Sequence, residues 1–281
     1  RWPPRAAIAP TKRSPAPTVS PFGRDVTVRR LNITALVVGL ALVGGLTASA
    51  QKWPAEEWQV AIIGTTDQNH LDNAEVELDG STSTFVAGGH DIWDNADQFA
   101  FLYKEVSGDF DVSVIVEEIE LSNAWAKAGI MARQTLEPGS INVLAAARAN
   151  NDMVTFQRRD TPDGGSASER LVPDGLGFDV TFPTAIRLIK NGDIFTGDWG
   201  SDGTDWSGDP VTKDGVTPTP PIDLALSDPY YLGIAVTSHA EGAMTTAVVE
   251  ILNDTPMAVD ATGKLATTWG AIRSSDRKSV V

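Results

Sequence analysis

The chain of 281 residues carries 22 Lys/Arg against 37 Asp/Glu, a formal charge of −15, and no cysteine. Disulfide frameworks and thiol chemistry are therefore excluded. The first 50 residues hold seven of the cations (Arg1, Arg5, Lys12, Arg13, Arg24, Arg29, Arg30) and one acid, Asp25, which leaves residues 51–281 at −21. A surface that acidic is repelled by nucleic-acid phosphates and by anionic lipid headgroups, so neither is an expected partner.

Residues 1–27 are rich in Pro and Arg without apolar periodicity, and read as disordered or as non-coding. No Met opens the chain, and Val28 is the expected start, since valine codons can initiate in bacteria. From there a signal peptide is expected over 28–50: Arg29-Arg30, the apolar run Ile33 to Leu46, then Ala48-Ser49-Ala50 as a cleavage site. That run is shorter than the roughly 20 apolar residues a membrane span needs, and no cysteine follows it to take a lipid anchor. The mature part is thus expected outside the cytoplasm, with no membrane insertion once the signal is removed.

From 51 to 253 the pattern is of short strands separated by turn residues, with little helical periodicity. The expected strands are Thr84–Ala87, Gln98–Lys104, Phe110–Ile119, Trp125–Arg133, Asn142–Arg148, Met153–Arg159, Thr184–Lys190, Ile194–Trp199, Tyr230–Ser238 and Ala243–Leu252. Asn191-Gly192 between apolar runs is the strongest hairpin signal. Two Gly-, Pro- or Asp-rich stretches, Asp160–Phe178 and Val211–Pro221, are expected as long loops. The fold class is all-β, a two-sheet antiparallel β-sandwich of 12 to 14 strands at most. Residues 254–281 form a tail, whose last six residues, Asp276 to Val281, have the look of a translated adapter.

Ala124 to Gln134, AWAKAGIMARQ, supplies the leading candidate site. Read with period two, Ala124, Ala126, Ala128, Ile130 and Ala132 share a small apolar face, and Trp125, Lys127, Gly129, Met131 and Arg133 share the other. If the second face is displayed, its indole can stack on the apolar side of a sugar while its cations bond hydroxyls. Gln157 and Arg159 alternate on an expected neighbouring strand and could extend that face, as could His239, which ends an apolar strand. The competing reading buries Trp125 in the core and leaves the cations as paired surface charges; a slip of one residue exchanges the faces. Ligand-binding candidates are therefore Trp125, Lys127, Arg133, Gln157, Arg159 and His239.

Asp91, Asp94 and Asp97 are spaced as oxygen ligands that could hold Ca²⁺, although no EF-hand pattern surrounds them and turn capping explains them equally well. No other cofactor is indicated. Ser201 to Trp206 (SDGTDW) is similar to the Asp-box turn of sialidases, with shorter spacing, and reads as structural. Retaining glucanases need two carboxyl groups about 5–5.5 Å apart, supplied by acids alternating along one strand. Glu118 and Glu120 share a face at the end of a strand, and Asp109 and Asp111 share one beside a turn; neither pair completes an E-x-D-x-x-E pattern. With His70, His90 and His239 scattered, a Ser-His-Asp triad and a His-rich metal centre find no support either.

Several stretches together resemble one family: Asp91-Ile92-Trp93 with Asp97-Gln98-Phe99, Ser107-Gly108-Asp109, the WAKAGIMAR strand, Phe156-Gln157-Arg158-Arg159, Gly197 through Ser201-Asp202-Gly203 to Trp206, and LGIAVTSH ending at His239. Their order resembles the "regulation of enolase protein 1"-like domain of unknown function, in the concanavalin A-like lectin/glucanase superfamily, over about Glu56 to Leu252. That resemblance implies a concanavalin A-like jelly roll in an exported bacterial protein and no established activity. The insert at Thr204-Asp205, with the loop to Pro221, departs from the family's pattern near Trp206. The expectation is an exported, monomeric, non-catalytic module that binds carbohydrate or a cell-envelope component. The alternatives are a divergent glycoside hydrolase using Glu118 and Glu120, and a structural or adhesion module that binds protein.

Overall fold

A computed structural model describes residues 27–29, 57–64, 74–151, 153–171, 180–206 and 219–256. The apolar leader run, His70, the stretch 207–218 and the tail beyond 256 lie outside the described residues. Two antiparallel sheets face each other, so the two-sheet antiparallel β-sandwich expected from the sequence is the architecture found. The first sheet has eight strands in the order β1 (Thr27–Arg29), β2 (Gln59–Ile63), β5 (Phe99–Val106), β14 (Tyr230–Thr237), β7 (Lys127–Arg133), β8 (Asn142–Arg148), β9 (Val154–Arg159) and β10 (Ser166–Arg170). The second has seven: β13 (Ile222–Asp223), β12 (Ile194–Gly200), β11 (Thr184–Asn191), β6 (Phe110–Ile119), β15 (Thr245–Pro256), β4 (Thr82–Ala87) and β3 (Glu75–Asp79).

The described residues form fifteen strands, more than the 12 to 14 expected. Those missed are short, β1, β2, β3, β10 and β13 having five residues or fewer, although β3 (Glu-Val-Glu-Leu-Asp) does alternate. β1 and β13 have three and two residues, too few to show a period. β10, Ser-Ala-Ser-Glu-Arg, falls inside Asp160–Phe178, which its Gly, Ser and Asp content marks as loop. It pairs with β9 from Ser166↔Arg159 to Arg170↔Thr155. The Asn191-Gly192 hairpin is present, with Asn191 paired to Ile194 and Gly192 at φ +61.

The core between the sheets follows from period two. Ala128, Ile130 and Ala132 of β7, Val143, Ala145 and Ala147 of β8, and Leu102 of β5 face Val112, Val114 and Val116 of β6, Ile186 and Leu188 of β11, and Val249 of β15. The second sheet is amphipathic in the usual manner, buried and partly exposed residues alternating along β4 and β12. The first is not. β7 and β8 are buried along their whole lengths and β5 nearly so. The side chains on their outer face form a second apolar cluster: Ala61 and Ile63, Phe99, Phe101 and Tyr103, Met131, Leu144, Ala146 and Ala235, with Ile92 packed on top. The segment Gly88–Gln98 crosses this face, Ile92 joining the cluster while Asp91, Ile92 and Asp97 bond Lys127, Gln157 and Arg159 beneath it.

This coverage corrects the expected display of the Trp125–Arg133 face. Parity is as read, since Lys127, Met131 and Arg133 do point away from the inter-sheet core. They point under a cover, however, and not into water: Lys127 is 2% exposed, Met131 and Arg133 0%. Trp125 escapes because it precedes β7 in a turn, and it is 46% exposed.

Candidate functional site

The covering segment is held by two carboxylates. Gly89, at φ +116, turns the chain where a Cβ would lie 2.1 Å from the Gln98 carbonyl oxygen, so both ends of the segment run close together. Beyond it, Asp97 descends to the outer face of the sheet. The Arg159 fork grips it with Nη2–Oδ1 at 2.6 Å and Nη1–Oδ2 at 2.8 Å, Asn142 Nδ2 donates to Oδ2 at 3.2 Å, and Arg133 Nη1 stands 3.5 Å away. Register explains the convergence: Arg133 pairs across the ladder with Asn142, and Asn142 with Arg159.

Asp97, Arg133 and Arg159 are all 0% exposed. One carboxylate against two guanidiniums leaves a net buried cation, which backbone carbonyls take up. Arg133 donates to Thr135 O at 2.7 Å and Glu137 O at 2.6 Å. Arg159 donates to Ser140 O at 3.0 Å, Asp94 O at 3.1 Å and Gly164 O at 3.1 Å. Burial pushes the Arg133 guanidinium down to about 10, with Arg159 adding to the fall and Asp97 opposing it. It therefore stays charged at neutral pH. Arg133 and Arg159, both expected to meet ligand, are instead sealed beneath the cover and staple it to the sheet.

Asp91 does the same work at the other end of the segment. Its Oδ1 binds the Lys127 ammonium and accepts from Ile92 N at 2.7 Å, and its Oδ2 receives His239 Nε2 at 3.1 Å. Burial alone would raise the Asp91 carboxyl, but the His239 hydrogen bond and the Lys127 charge outweigh it and hold the group below its ordinary value of 3.8. Burial likewise lowers Lys127, with Asp91 only partly restoring it. Because the folded Asp91 is the stronger acid, its contribution to stability is present above 3.8 and is lost as pH falls through its lower folded value. His239→Gln weakens the bond that depresses Asp91, so the carboxyl should titrate at higher pH in the variant. Carboxyl-carbon NMR of Asp91 checks this, and an unchanged midpoint would remove His239 from the account.

The expected Ca²⁺ ligands are thus otherwise employed. Asp91 and Asp97 are bound by cations, while Asp94 is exposed and offers its carbonyl to Arg159. Among the described residues no three His, Asp or Glu side chains are arranged to hold a metal ion.

Between the covering segment, the Trp125 turn, β9 and the edge strand β10 lies a cavity of about 590 Å³. This is within the range of roughly 300–1,000 Å³ usual for small-molecule sites. Trp93, Trp125 and His239 stand around it, Lys127 and Gln157 reach its floor, and Thr155, Ser166, Ser168 and Arg170 bound it on the β9–β10 side. Arg148 and Met153 complete the wall behind Trp125, where the Arg148 guanidinium lies 3.6 Å from the indole centroid. The same guanidinium donates through Nε to Ala124 O at 3.1 Å, holding the Trp125 turn. The indole and His239 ring centroids are 6.4 Å apart, and His239 in turn stacks on His90 at 5.8 Å.

Four of the six residues named from sequence thus line one cavity: Trp125, Lys127, Gln157 and His239. Gln157 is already committed, donating to Ile92 O at 2.9 Å and accepting from Thr155 Oγ1 at 3.2 Å. Sequence reading missed Arg148, Trp93, Arg170 and the hydroxyls of Thr155, Ser166 and Ser168. The one available signal was Arg148 at the end of the Asn142–Arg148 strand, which its register places opposite Lys127. Arg170 lay in a stretch read as loop.

The acids considered for catalysis lie elsewhere. Glu118 and Glu120 are exposed at the end of β6 in the second sheet, beside a register shift between β15 residues Val248 and Val249. Asp111 is bidentate to Arg187 at 2.7 and 2.5 Å. At the SDGTDW turn, Asp202 Oδ1 accepts from Thr204 N at 2.9 Å, Thr204 Oγ1 at 2.8 Å and Asp205 N at 3.1 Å, which is the work of a capping residue.

The chain matches no family model and no curated protein. Among solved structures it is similar to a functionally unknown protein from Saccharomyces cerevisiae, at 16% identity and TM-score 0.46, over 63% of this chain and 88% of that one. It is also similar to a glycoside hydrolase family 16 endo-glucanase from Bacteroides ovatus (10% identity, TM-score 0.40, 72% of this chain and 97% of that one). A third is the legume lectin-like domain from Entamoeba histolytica (9% identity, TM-score 0.38, 64% and 87%).

Proposed function

We propose that this protein is a non-catalytic carbohydrate-binding module, and that the cavity beside Trp125 is its binding site. The observation that carries the reading is the indole itself: 46% exposed in the turn before β7, stacked on Arg148, and lining a cavity that Thr155, Ser166 and Ser168 also line. An immobilised aromatic ring offers a flat apolar platform at little entropic cost, and neighbouring hydroxyls supply directional bonds to a sugar. The ordered motifs support placing the chain with the "regulation of enolase protein 1"-like domains of the concanavalin A-like superfamily. The leader pattern over 28–50 supports export from a bacterial cell, where the partner would be a glycan of the envelope or surroundings.

A hydrolytic role is the weaker reading. Glycoside hydrolysis in its usual form needs two carboxyl groups flanking the scissile bond. Asp91 is the one carboxylate among the described residues lining the cavity, and it is bound on both oxygens.

Trp125→Ala tests the proposal. Central aromatic anchors cost about 2 kcal/mol or more on truncation, so binding should weaken by roughly 30-fold. The folded core should be unaffected, since the ring lies outside both apolar clusters. Glycan-array screening followed by calorimetry on the strongest hit measures this. Equal affinity in the variant would place the site elsewhere, and release of reducing sugar from the bound glycan would restore the hydrolase.

A further inference from the structure

The hydroxyl protons on the β9–β10 wall of the cavity are spent inside the protein. A hydroxyl has one proton to give and two lone pairs to offer. Ser166 Oγ, which takes Arg159 Nη2 at 3.4 Å, donates to Asp94 O at 3.0 Å. Ser168 Oγ donates to Glu169 O at 2.9 Å. With that proton placed, Thr155 Oγ1 is the donor toward Ser168 Oγ at 2.8 Å and Gln157 Oε1 at 3.2 Å. The three hydroxyls therefore meet a ligand as acceptors. The floor has the opposite character. Lys127 Nζ carries three N–H donors, and its hydrogen-bond partner among the described residues is a single oxygen, Asp91 Oδ1. The ammonium is 2% exposed and lines the cavity. Asp91 answers its charge, so what is open there is donor capacity, which a neutral oxygen fills. A buried donor left without an acceptor is costly, and a ligand that supplies one gains accordingly.

From this we infer that the site selects sugars carrying an acetamido group. The inference rests on the carbohydrate-binding reading and narrows it to a chemical class. A secondary amide holds its donor N–H and its acceptor C=O on opposite edges of one rigid plane, and unlike a hydroxyl it cannot exchange them. The cavity is divided in the same sense. Lys127 stands on β7 and Thr155 on β9, with β8 between them, so the two strands run about 10 Å apart. The lysine side chain spans part of that gap, and an amide bonded at about 2.9 Å on each edge spans the rest. Its carbonyl oxygen accepts from the ammonium, a charge-assisted bond. Its N–H donates to the lone pairs of Thr155 or Ser168. A sugar hydroxyl at the same carbon is too short to bridge the two, and meets the floor or the wall alone. The methyl group of the acetamide finds apolar lining in Met153 and Ala167, while the exposed Trp125 indole takes the sugar ring.

The test uses the full chain and two pairs of probes that differ only in acetamido against hydroxyl: chitotriose with cellotriose, and N-acetylgalactosamine with galactose. By calorimetry the acetamido member of at least one pair should bind about tenfold more tightly or better, which is what one hydrogen bond to a charged donor contributes. Hits on the glycan array should carry an acetamido group. The double change Thr155→Val with Ser168→Ala removes both wall acceptors and should reduce the ratio by about threefold or more. An unchanged ratio in the folded variant would overturn the inference. If thermal melts show that variant to be poorly folded, the probe pairs on the unaltered protein still decide, since there the group is removed from the ligand. Equal or tighter binding of the hydroxyl member in both pairs, or array hits without an acetamido group, overturns the inference and leaves the carbohydrate reading standing. Failure of all four probes, together with a blank glycan array, overturns both.

Discussion

Asp97→Ala is expected to destabilise the fold by about 3–5 kcal/mol, the usual consequence of removing one partner from a buried ion pair. The size of the effect comes from what is left behind. Two guanidiniums, 0% exposed, would share the space without a counter-charge, and the carbonyls of Ser140, Asp94 and Thr135 cannot replace a full negative charge. Asp97→Asn keeps the shape and removes the charge, so it should recover little. Arg133→Met, by contrast, removes the more weakly paired cation and should be tolerated far better, because Arg159 retains its bidentate partner. Urea denaturation of the three variants measures the series. A cost for Asp97→Ala below about 1 kcal/mol would mean that water enters beneath the covering segment, and that the seal inferred for this face is absent.

Gly129→Ala should be nearly as damaging, although it adds a single methyl group. A Cβ at Gly129 would stand 2.1 Å from the Ala145 carbonyl oxygen and 2.5 Å from the Ala146 Cα. Both are backbone atoms, with no flexible end to swing aside, so β7 and β8 must part. Overpacking of this kind costs about 1–3 kcal/mol and more where backbone has to move. Lys127, two residues away on β7, and Arg148, its partner on β8, sit on the same ladder. The variant should therefore lose glycan affinity together with stability, whereas Trp125→Ala loses affinity alone. Parallel thermal melts and titrations separate the two patterns; full affinity in Gly129→Ala would show that the cavity does not depend on this register.

How much of this was legible in the sequence depends on the range of the interaction. The Gly192 hairpin and the parity of Ala124–Gln134 are local, and local rules recover them. Period two reports which side chains share a face; it does not report what lies over that face. The cover over Lys127 and Arg133 comes from Gly88–Gln98, and the partners that bind it are far along the chain: Asp91 reaches Lys127 across 36 positions and Asp97 reaches Arg159 across 62. From sequence, three aspartates at spacing three suggested hard oxygen ligands for a metal. In the fold, two of them answer cations whose own spacing had suggested a ligand-binding face. Each set was conspicuous because it lacked a visible partner, and each is a partner of the other. Trp125 and His239, at the open end of the network, are the residues for which the expected surface position was right in kind.

The binding account is tested most directly by a heteronuclear NMR titration of the full chain with the strongest hit of the glycan array. Perturbation should centre on the indole N–H of Trp125, with the Arg148 and Arg170 Nε–H signals and the Ser168 amide moving in step. Resonances of the second sheet and the turn that follows β12, such as the Trp199 and Trp206 indoles, should stay still. Shifts confined to that second sheet, or an unmoved Trp125 in the presence of demonstrable binding, would contradict the assignment of the cavity.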